Sequence, residues 1–91
     1  MKPTRSDFHV FFTEIENADK YVIIMCRVII DYLRKGHRLD DSIFCMLYVD
    51  ENELKEVPIN RRFCAYHNAF ELLLKHGIIY IDIDYRCHLS R

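Results

Sequence analysis

The sequence has few of the residues that make tight turns. Two glycines and two prolines occur among 91 residues, and tryptophan is absent. All-β sandwiches and barrels need many turns, so this composition argues against a many-stranded fold and favours long elements. With two glycines in total, a glycine-rich phosphate-binding loop is also excluded.

Neither sign of charge is in excess. The formal net charge is −1 and the calculated pI is about 6.5. A chain with this balance does not attract nucleic acid or an anionic membrane as a whole, so any such binding rests on local patches. A strongly acidic DNA mimic is excluded for the same reason.

Long apolar runs and paired cysteines are missing too. The longest apolar runs, residues 21–26 and 43–49, are far shorter than the ~20 residues of a membrane-spanning helix, and residues 1–7 do not resemble a signal peptide. The four cysteines at positions 26, 45, 64 and 87 form no CxxC pair and lie in apolar segments. We therefore expect a reduced cytoplasmic protein with no membrane partner.

What the chain does contain is enough apolar surface for one packed domain spanning residues 1–91. Hydrophobic residues make up 51% of the sequence and aromatic residues 13%. A domain of this size buries somewhat more than ~60% of the surface of its unfolded chain. Along the chain we predict N-terminal helices over 6–35, a helix-turn-helix over 50–76 and a hairpin over 78–90.

The N-terminal segment predicts two helices, or one kinked helix. Ser6 is a natural N-cap for the first, and Asn17 or Asp19 restarts the chain into a second that ends at Lys35-Gly36. The apolar side chains of the first exceed what the end of a small core needs. They predict a dimer or partner interface, unless they close over the core: Phe8, Phe11, Phe12 and Ile15.

The segment from Asn60 to Gly77 predicts a long helix that passes directly into a strand. Asn60 is the expected N-cap and Gly77 the left-handed stop. Large apolar residues recur at helical spacing and define the expected inward face: Phe63, Tyr66, Phe70, Leu73 and Leu74.

The middle of the chain is ambiguous. Residues 43–49 are continuously apolar, as in a buried strand. Residues 50–57 predict either a short helix, with Asp50 and Glu53 as a capping box, or half of a hairpin; the missing turn glycine favours the helix. At the C-terminus, residues 78–84 and 86–90 predict a two-stranded ribbon that turns near Asp84-Tyr85.

Residues 50–84 resemble the helix-turn-helix and first wing strand of winged-helix domains. The resemblance is carried by Leu54, the Pro58-Ile59 turn, Asn60-Arg61-Arg62, and Gly77-Ile78-Ile79. It implies a mainly α fold with a small β-sheet in the order α-α-β-α-α-β-β. The alternative is an α+β fold with a three-stranded sheet covered by helices.

The resemblance also implies a transcriptional regulator that binds double-stranded DNA, as a homodimer through the N-terminal phenylalanines. The helix over 60–76 would enter the major groove, where Asn suits adenine and Arg suits guanine or phosphate. The residues expected at DNA are Arg61, Arg62, Ala65, Asn68, Lys75 and Arg86. Between residues 58 and 91, five Lys or Arg stand against three Asp or Glu, a small basic excess.

The alternative function is that of a protein-interaction module. A small phage- or plasmid-type effector or antitoxin binds and modulates a partner protein, and the neutral charge, an exposed Leu72 and the N-terminal phenylalanines would suit it. These two hypotheses belong to different classes, and the sequence leaves both open.

Catalytic and metal chemistry have little support, so we predict no enzyme activity, no cofactor and no catalytic residue. The three serines lie outside any nucleophile motif, and alternating Asp82 and Asp84 are typical of an exposed edge strand. The sequence leaves open a metal site at Cys64, His67, Cys87 and His88, but adjacent residues of a strand point to opposite faces, which makes such a site unfavourable.

Overall fold

The computed structural model describes residues 5–39 and 56–90 of the chain. Within these ranges lie helices α1 (Arg5–Glu14), α2 (Lys20–Arg34) and α3 (Ile59–Lys75), followed by strands β1 (Ile79–Ile81) and β2 (Cys87–Leu89). The protein is therefore mainly helical with a small antiparallel sheet, as expected. The predicted strand over 43–49 and the helix or hairpin over 50–55 lie outside the described residues, and so does any third strand they would supply.

The N-terminal segment forms two separate helices. The Asp19 side chain is the N-cap of α2 and accepts a hydrogen bond from the backbone N–H of Tyr21 at 2.9 Å. Gly36 has a positive φ of 82° just after the helix, which confirms the predicted glycine stop. Ser6 lies inside α1 and is not its N-cap. None of the three described helices combines the length and apolarity needed to cross a bilayer.

Two of the four side chains predicted to form a dimer or partner interface are buried in the protein's own core, which corrects that prediction for Phe11 and Ile15. Phe11 and Ile15 are 2% and 5% exposed. Phe8 and Phe12 are half-buried against the same core, and their rings lie beneath Arg34 and Arg27 at 4.7 and 5.3 Å. Phe11 and Ile15 are used in the core and are therefore not available to a second copy, whereas the prediction for Phe8 and Phe12 stays a prediction.

Helix α3 begins at Ile59, one residue before the expected start. Pro58 occupies the N-cap position with φ −55° and makes no side-chain hydrogen bond, so the predicted cap at Asn60 is wrong. Proline's fixed φ and missing N–H suit the start of a helix, where the first N–H groups have no helical partner. The end is as predicted, since Gly77 has φ 72° and the chain continues directly towards β1.

The inward face of α3 is rotated from the one that the large apolar residues predicted. Ala65 and Ala69 are buried with Tyr66 and Leu73, whereas Leu74 is 36% exposed. Phe63 and Phe70 pack at the edge of the core. The two alanines let α3 approach α2 closely: the Cys26 thiol lies 3.9 Å from the carbonyl oxygen of Ala69. Small side chains therefore lie at the centre of the contact, where the two helices pack closely.

The C-terminal ribbon has the predicted turn and shorter strands. Ile79 pairs with Leu89, Tyr80 with His88 and Ile81 with Cys87. The backbone N–H of Ser90 also donates to the carbonyl of Ile78 at 3.0 Å, next to the end of α3. Ile78, Ile79 and Leu89 are buried, so the ribbon is anchored at its base and projects its loop, residues 82–86, into solvent.

Candidate nucleic-acid interface

Four of the six residues expected at DNA are exposed. Arg61, Asn68 and Lys75 lie on the outer side of α3, and Arg86 lies in the loop between β1 and β2. Along a helix, steps of seven residues return to nearly the same side, with a drift of about 20° per step. Arg61, Asn68 and Lys75 therefore form one line, the α3 stripe, about 21 Å long.

Arg62 does not belong to this surface, which corrects the expectation that it contacts DNA. Its side chain is 4% exposed, and its Nε donates a 2.7 Å hydrogen bond to the carbonyl oxygen of Val57. The guanidinium thus ties the first turn of α3 to the segment before it. Arg61 and Arg62 are neighbours in sequence, but ~100° of helical rotation separates an exposed cation from a buried one.

Ala65 is not at the outer surface either. It is 7% exposed and faces α2, so it cannot let α3 approach base edges. The residue before it, Cys64, is the exposed one. The exposed residues beside the α3 stripe are therefore Cys64 and Glu71, and not Ala65 as expected.

The middle of the outer face of α3 carries a carboxylate and no exposed lysine or arginine. His67 and Glu71 lie one turn apart, with Nε2 3.4 Å from the carboxylate, and both are largely exposed. Exposed pairs of this kind contribute little to stability, but the carboxylate offsets positive charge on the surface. The cations of the α3 stripe are therefore at its two ends, and Lys75 also complements the dipole of the last turn.

A groove of about 290 Å³ runs beside the first half of the α3 stripe. Arg61 and Asn68 line one side, and Asp19 and Tyr21 at the start of α2 line the other. Since Asp19 shares the groove with Arg61, the charge there is mixed. The groove is therefore not a continuous positive surface.

A second cavity, of about 380 Å³, lies between the C-terminal end of α2 and the ribbon. It brings Arg86 together with His37, Arg38 and Tyr80, which the sequence did not single out. His37 and Arg38 follow α2 in a polar stretch of the sequence, and no sequence signal places them beside a ribbon that starts about forty residues later. These residues come to line one cavity only through the tertiary fold.

The ribbon loop is organised by one carboxylate. Asp82 Oδ1 accepts hydrogen bonds from the backbone N–H groups of Asp84 (2.8 Å) and Arg86 (3.0 Å), and Oδ2 lies 2.7 Å from His88 Nε2. These interactions lower the pKa of Asp82, the Arg86 N–H most strongly and the His88 side chain next. Asp82 and Asp84 thus differ in role, although the sequence suggested one shared face.

The tip of this loop is apolar. Ile83 and Tyr85 are 94% and 91% exposed. Tyr85 also has a positive φ of 61°, which is uncommon for a bulky residue. The loop therefore holds two large apolar side chains in water on a backbone fixed by Asp82.

The described cysteines are free thiols with different environments. Burial raises the pKa of Cys26 to about 12 and that of Cys87 to about 11, while Cys64 is exposed. Across residues 5–39 and 56–90, no three His, Cys, Asp or Glu side chains are grouped to hold a metal ion. His67 and His88, which the sequence left as possible ligands, face Glu71 and Asp82 instead.

Comparisons of the chain with protein families, curated proteins and solved structures found no match.

Proposed function

We propose that the protein binds double-stranded DNA through the α3 stripe, with the ribbon acting as a wing. The observation that carries the proposal is the line of exposed Arg61, Asn68 and Lys75 along α3, continued by exposed Arg86 in the following loop. A helix that leads through a glycine into an antiparallel pair resembles the recognition helix and wing of winged-helix regulators.

The geometry assigns each group a role. Asn68, in the middle of the stripe, suits a bidentate contact with the edge of an adenine. Arg61 and Lys75 lie about 10 Å to either side along the helix axis, where they reach phosphates flanking the groove. Arg86 contacts phosphate from the wing. Arg62 and Ala65 act indirectly, because they hold α3 in its orientation.

Few cations make the expected binding modest and strongly dependent on salt. If Arg61, Lys75 and Arg86 each neutralise one phosphate, log K falls against log salt concentration with a slope of about −2.7. Glu71 and the net charge of −1 oppose binding at long range. Specific affinity would require a second copy of the protein on the DNA.

Fluorescence anisotropy with a labelled random duplex at low ionic strength tests this proposal. We expect salt-dependent binding, and Arg61→Ala with Lys75→Ala should reduce the salt slope by about 2. The matched control is Arg27→Ala with Arg34→Ala, which removes the same charge from side chains that stack on Phe12 and Phe8. Absence of salt-dependent binding, or equal losses in both double variants, would overturn the proposal.

The second candidate function is protein interaction, and the loop tip favours it. Exposed Ile83 and Tyr85 on a preorganised backbone resemble the apolar anchors of protein interfaces, since little order is lost on binding. Phe11 is buried and Leu72 packs partly against the core, so the support for this candidate comes from the loop tip and not from these residues.

The same variants separate the two candidates. If a protein partner docks at the loop tip, Ile83→Ser with Tyr85→Ser should abolish its binding while Arg61→Ala with Lys75→Ala leaves it intact. DNA binding should show the opposite pattern. A partner whose binding survives the loop variant removes the support for this second function.

A further inference from the structure

The cavity between α2 and the ribbon has the size and form of a small-ligand site. Its volume of about 380 Å³ falls within the ~300–1,000 Å³ typical of such sites. One wall comes from the end of α2, with Leu33, Gly36, His37 and Arg38, and the other from the ribbon. It is distinct from the α3 stripe, but it includes Arg86, which the proposed DNA surface also uses.

The described residues that line this cavity carry net positive charge, although the whole chain carries −1. Arg38 and Arg86 both line it, and within the described residues neither guanidinium forms a salt bridge. Of the described residues that line it, none is Asp or Glu. The nearby Asp82 carboxylate is already engaged by His88 and by two backbone N–H groups.

The C-terminal end of α2 offsets this charge only in part. A helix C-terminus carries roughly half a negative charge, and much of it resides on unpaired carbonyl groups. Here the N–H groups of Lys35, Gly36 and His37 donate to the carbonyls of Asp31, Leu33 and Tyr32. Two guanidinium groups outweigh the remainder, so the cavity favours an anion.

Arginine narrows the kind of anion. Its planar fork of N–H donors matches the oxygens of phosphate or carboxylate in a bidentate manner. With one guanidinium on each wall, an anion that offers several oxygens in different directions contacts both. A terminal phosphate meets this requirement better than a flat carboxylate.

The rest of the cavity suits a planar ring. Tyr80 and His88 are cross-strand partners with ring centroids 5.3 Å apart and planes tilted by 33°. Tyr80 is 48% exposed, so its ring offers a surface for stacking. Leu33 and Leu89 supply apolar lining next to it. Aromatic side chains stack on bases largely regardless of base identity.

We propose that this cavity binds a phosphate monoester attached to a planar ring, the chemistry of a nucleoside monophosphate. Arg38 and Arg86 contact the phosphate from the two walls, and the Tyr80–His88 pair stacks on the ring. Because Arg86 is shared with the wing, an occupied cavity withdraws one cation from DNA, if the protein binds DNA as proposed.

Isothermal titration of the full chain without DNA tests the site with four probes: adenosine 5′-monophosphate, adenosine, ribose 5-phosphate and inorganic phosphate. We expect adenosine 5′-monophosphate to bind tightest. Adenosine, ribose 5-phosphate and inorganic phosphate each lack part of it and should bind more weakly by about tenfold or more, which is the usual contribution of a charge-assisted hydrogen bond to affinity. No binding of the monophosphate at millimolar concentration overturns the proposal. Equal binding of ribose 5-phosphate overturns the ring assignment, and equal binding of adenosine overturns the phosphate assignment.

Two variants locate the site. Arg38→Gln should weaken binding of the monophosphate by about tenfold or more, and Tyr80→Ser should reduce the advantage of the monophosphate over ribose 5-phosphate. The control is Arg27→Gln, which makes the same charge change on α2 away from the cavity. Equal losses in Arg38→Gln and Arg27→Gln would reject the cavity as the site.

Failure here is separable from failure of DNA binding. Arg38 and Tyr80 lie outside the α3 stripe, and the titration contains no DNA. Unfolding curves of Arg38→Gln and Tyr80→Ser should match that of the unmodified protein, because both side chains are exposed. If they do not, amide chemical shifts of Arg38 and His88 on addition of the monophosphate to the unmodified protein decide the question.

Discussion

The contact between α2 and α3 and the ribbon loop are held in place by different kinds of interaction. At the helix contact Met25, Ile29 and Leu73 are fully buried and the alanines of α3 allow close approach. In the loop the two largest apolar side chains are in water, and the order comes from the Asp82 carboxylate together with backbone hydrogen bonds of Asp82 with Tyr85 and Arg86. Burial thus fixes the orientation of α3, whereas polar contacts fix the loop. Each region should therefore respond to a different class of substitution.

The largest effect is expected for Leu73→Ala in the helix contact. Removing a fully buried leucine costs the transfer free energy of the lost methyl groups and leaves a cavity, together about 2–5 kcal/mol of unfolding free energy. The matched control is Leu74→Ala, the next residue, which is 36% exposed and should cost much less. Urea unfolding followed by circular dichroism measures both; equal losses would contradict the observed rotation of α3.

The next effect is expected for Arg62→Ala compared with Arg61→Ala. Arg62→Ala removes the hydrogen bond to the Val57 carbonyl and leaves that buried segment without its donor, at a cost of about 1–3 kcal/mol. Arg61 is exposed, so Arg61→Ala should change the unfolding free energy by no more than about 0.5 kcal/mol. The same urea curves decide this, and a larger loss for Arg61→Ala would reverse the assignment of the two arginines.

In the loop, the expected effect is local and depends on pH. Asp82→Ala should speed hydrogen exchange of the Asp84 and Arg86 amides, while Asp84→Ala, whose side chain is exposed, should not. The pKa of Asp82 is lowered in the folded protein, so its ionised form stabilises the loop above the unfolded-state pKa of about 3.9. That contribution is lost as the pH falls through the lower folded-state pKa. Amide protection that stays unchanged in Asp82→Ala would show that the backbone alone orders the loop.

Local signals in the sequence predicted three helix ends correctly, although the caps expected at Ser6 and Asn60 were wrong. Asp19, Gly36 and Gly77 act within a few residues of themselves, so α2 and the end of α3 were predictable. The face of α3 depends on how closely α2 approaches. Large apolar residues in the sequence pointed to Phe63 and Phe70, but the contact uses Ala65 and Ala69.

The residues of the candidate sites were also predictable only in part. Arg61, Asn68 and Lys75 were predictable from helical spacing, which places them on one side. The burial of Arg62 was not predictable, because it depends on a hydrogen bond to the carbonyl of Val57 in the preceding segment. The position of Arg38 and Arg86 in one cavity was not predictable either, because these two residues are distant in sequence. A periodic pattern shows which residues share a face; the neighbouring element decides which face is covered.

The smallest effect on stability is expected for Ile83→Ser at the loop tip. Its side chain is 94% exposed, so the fold gains almost nothing from it, and the unfolding free energy should change by less than about 0.5 kcal/mol. Urea unfolding measures this, with Ile79→Ser as the control, because Ile79 pairs in the same ribbon but is 2% exposed and should be severely destabilised. A clear loss in Ile83→Ser would mean that the tip is covered within the folded protein. An unchanged stability would show that the exposed isoleucine contributes nothing to the fold, and it would leave the loop tip accessible to the partner of the second proposed function.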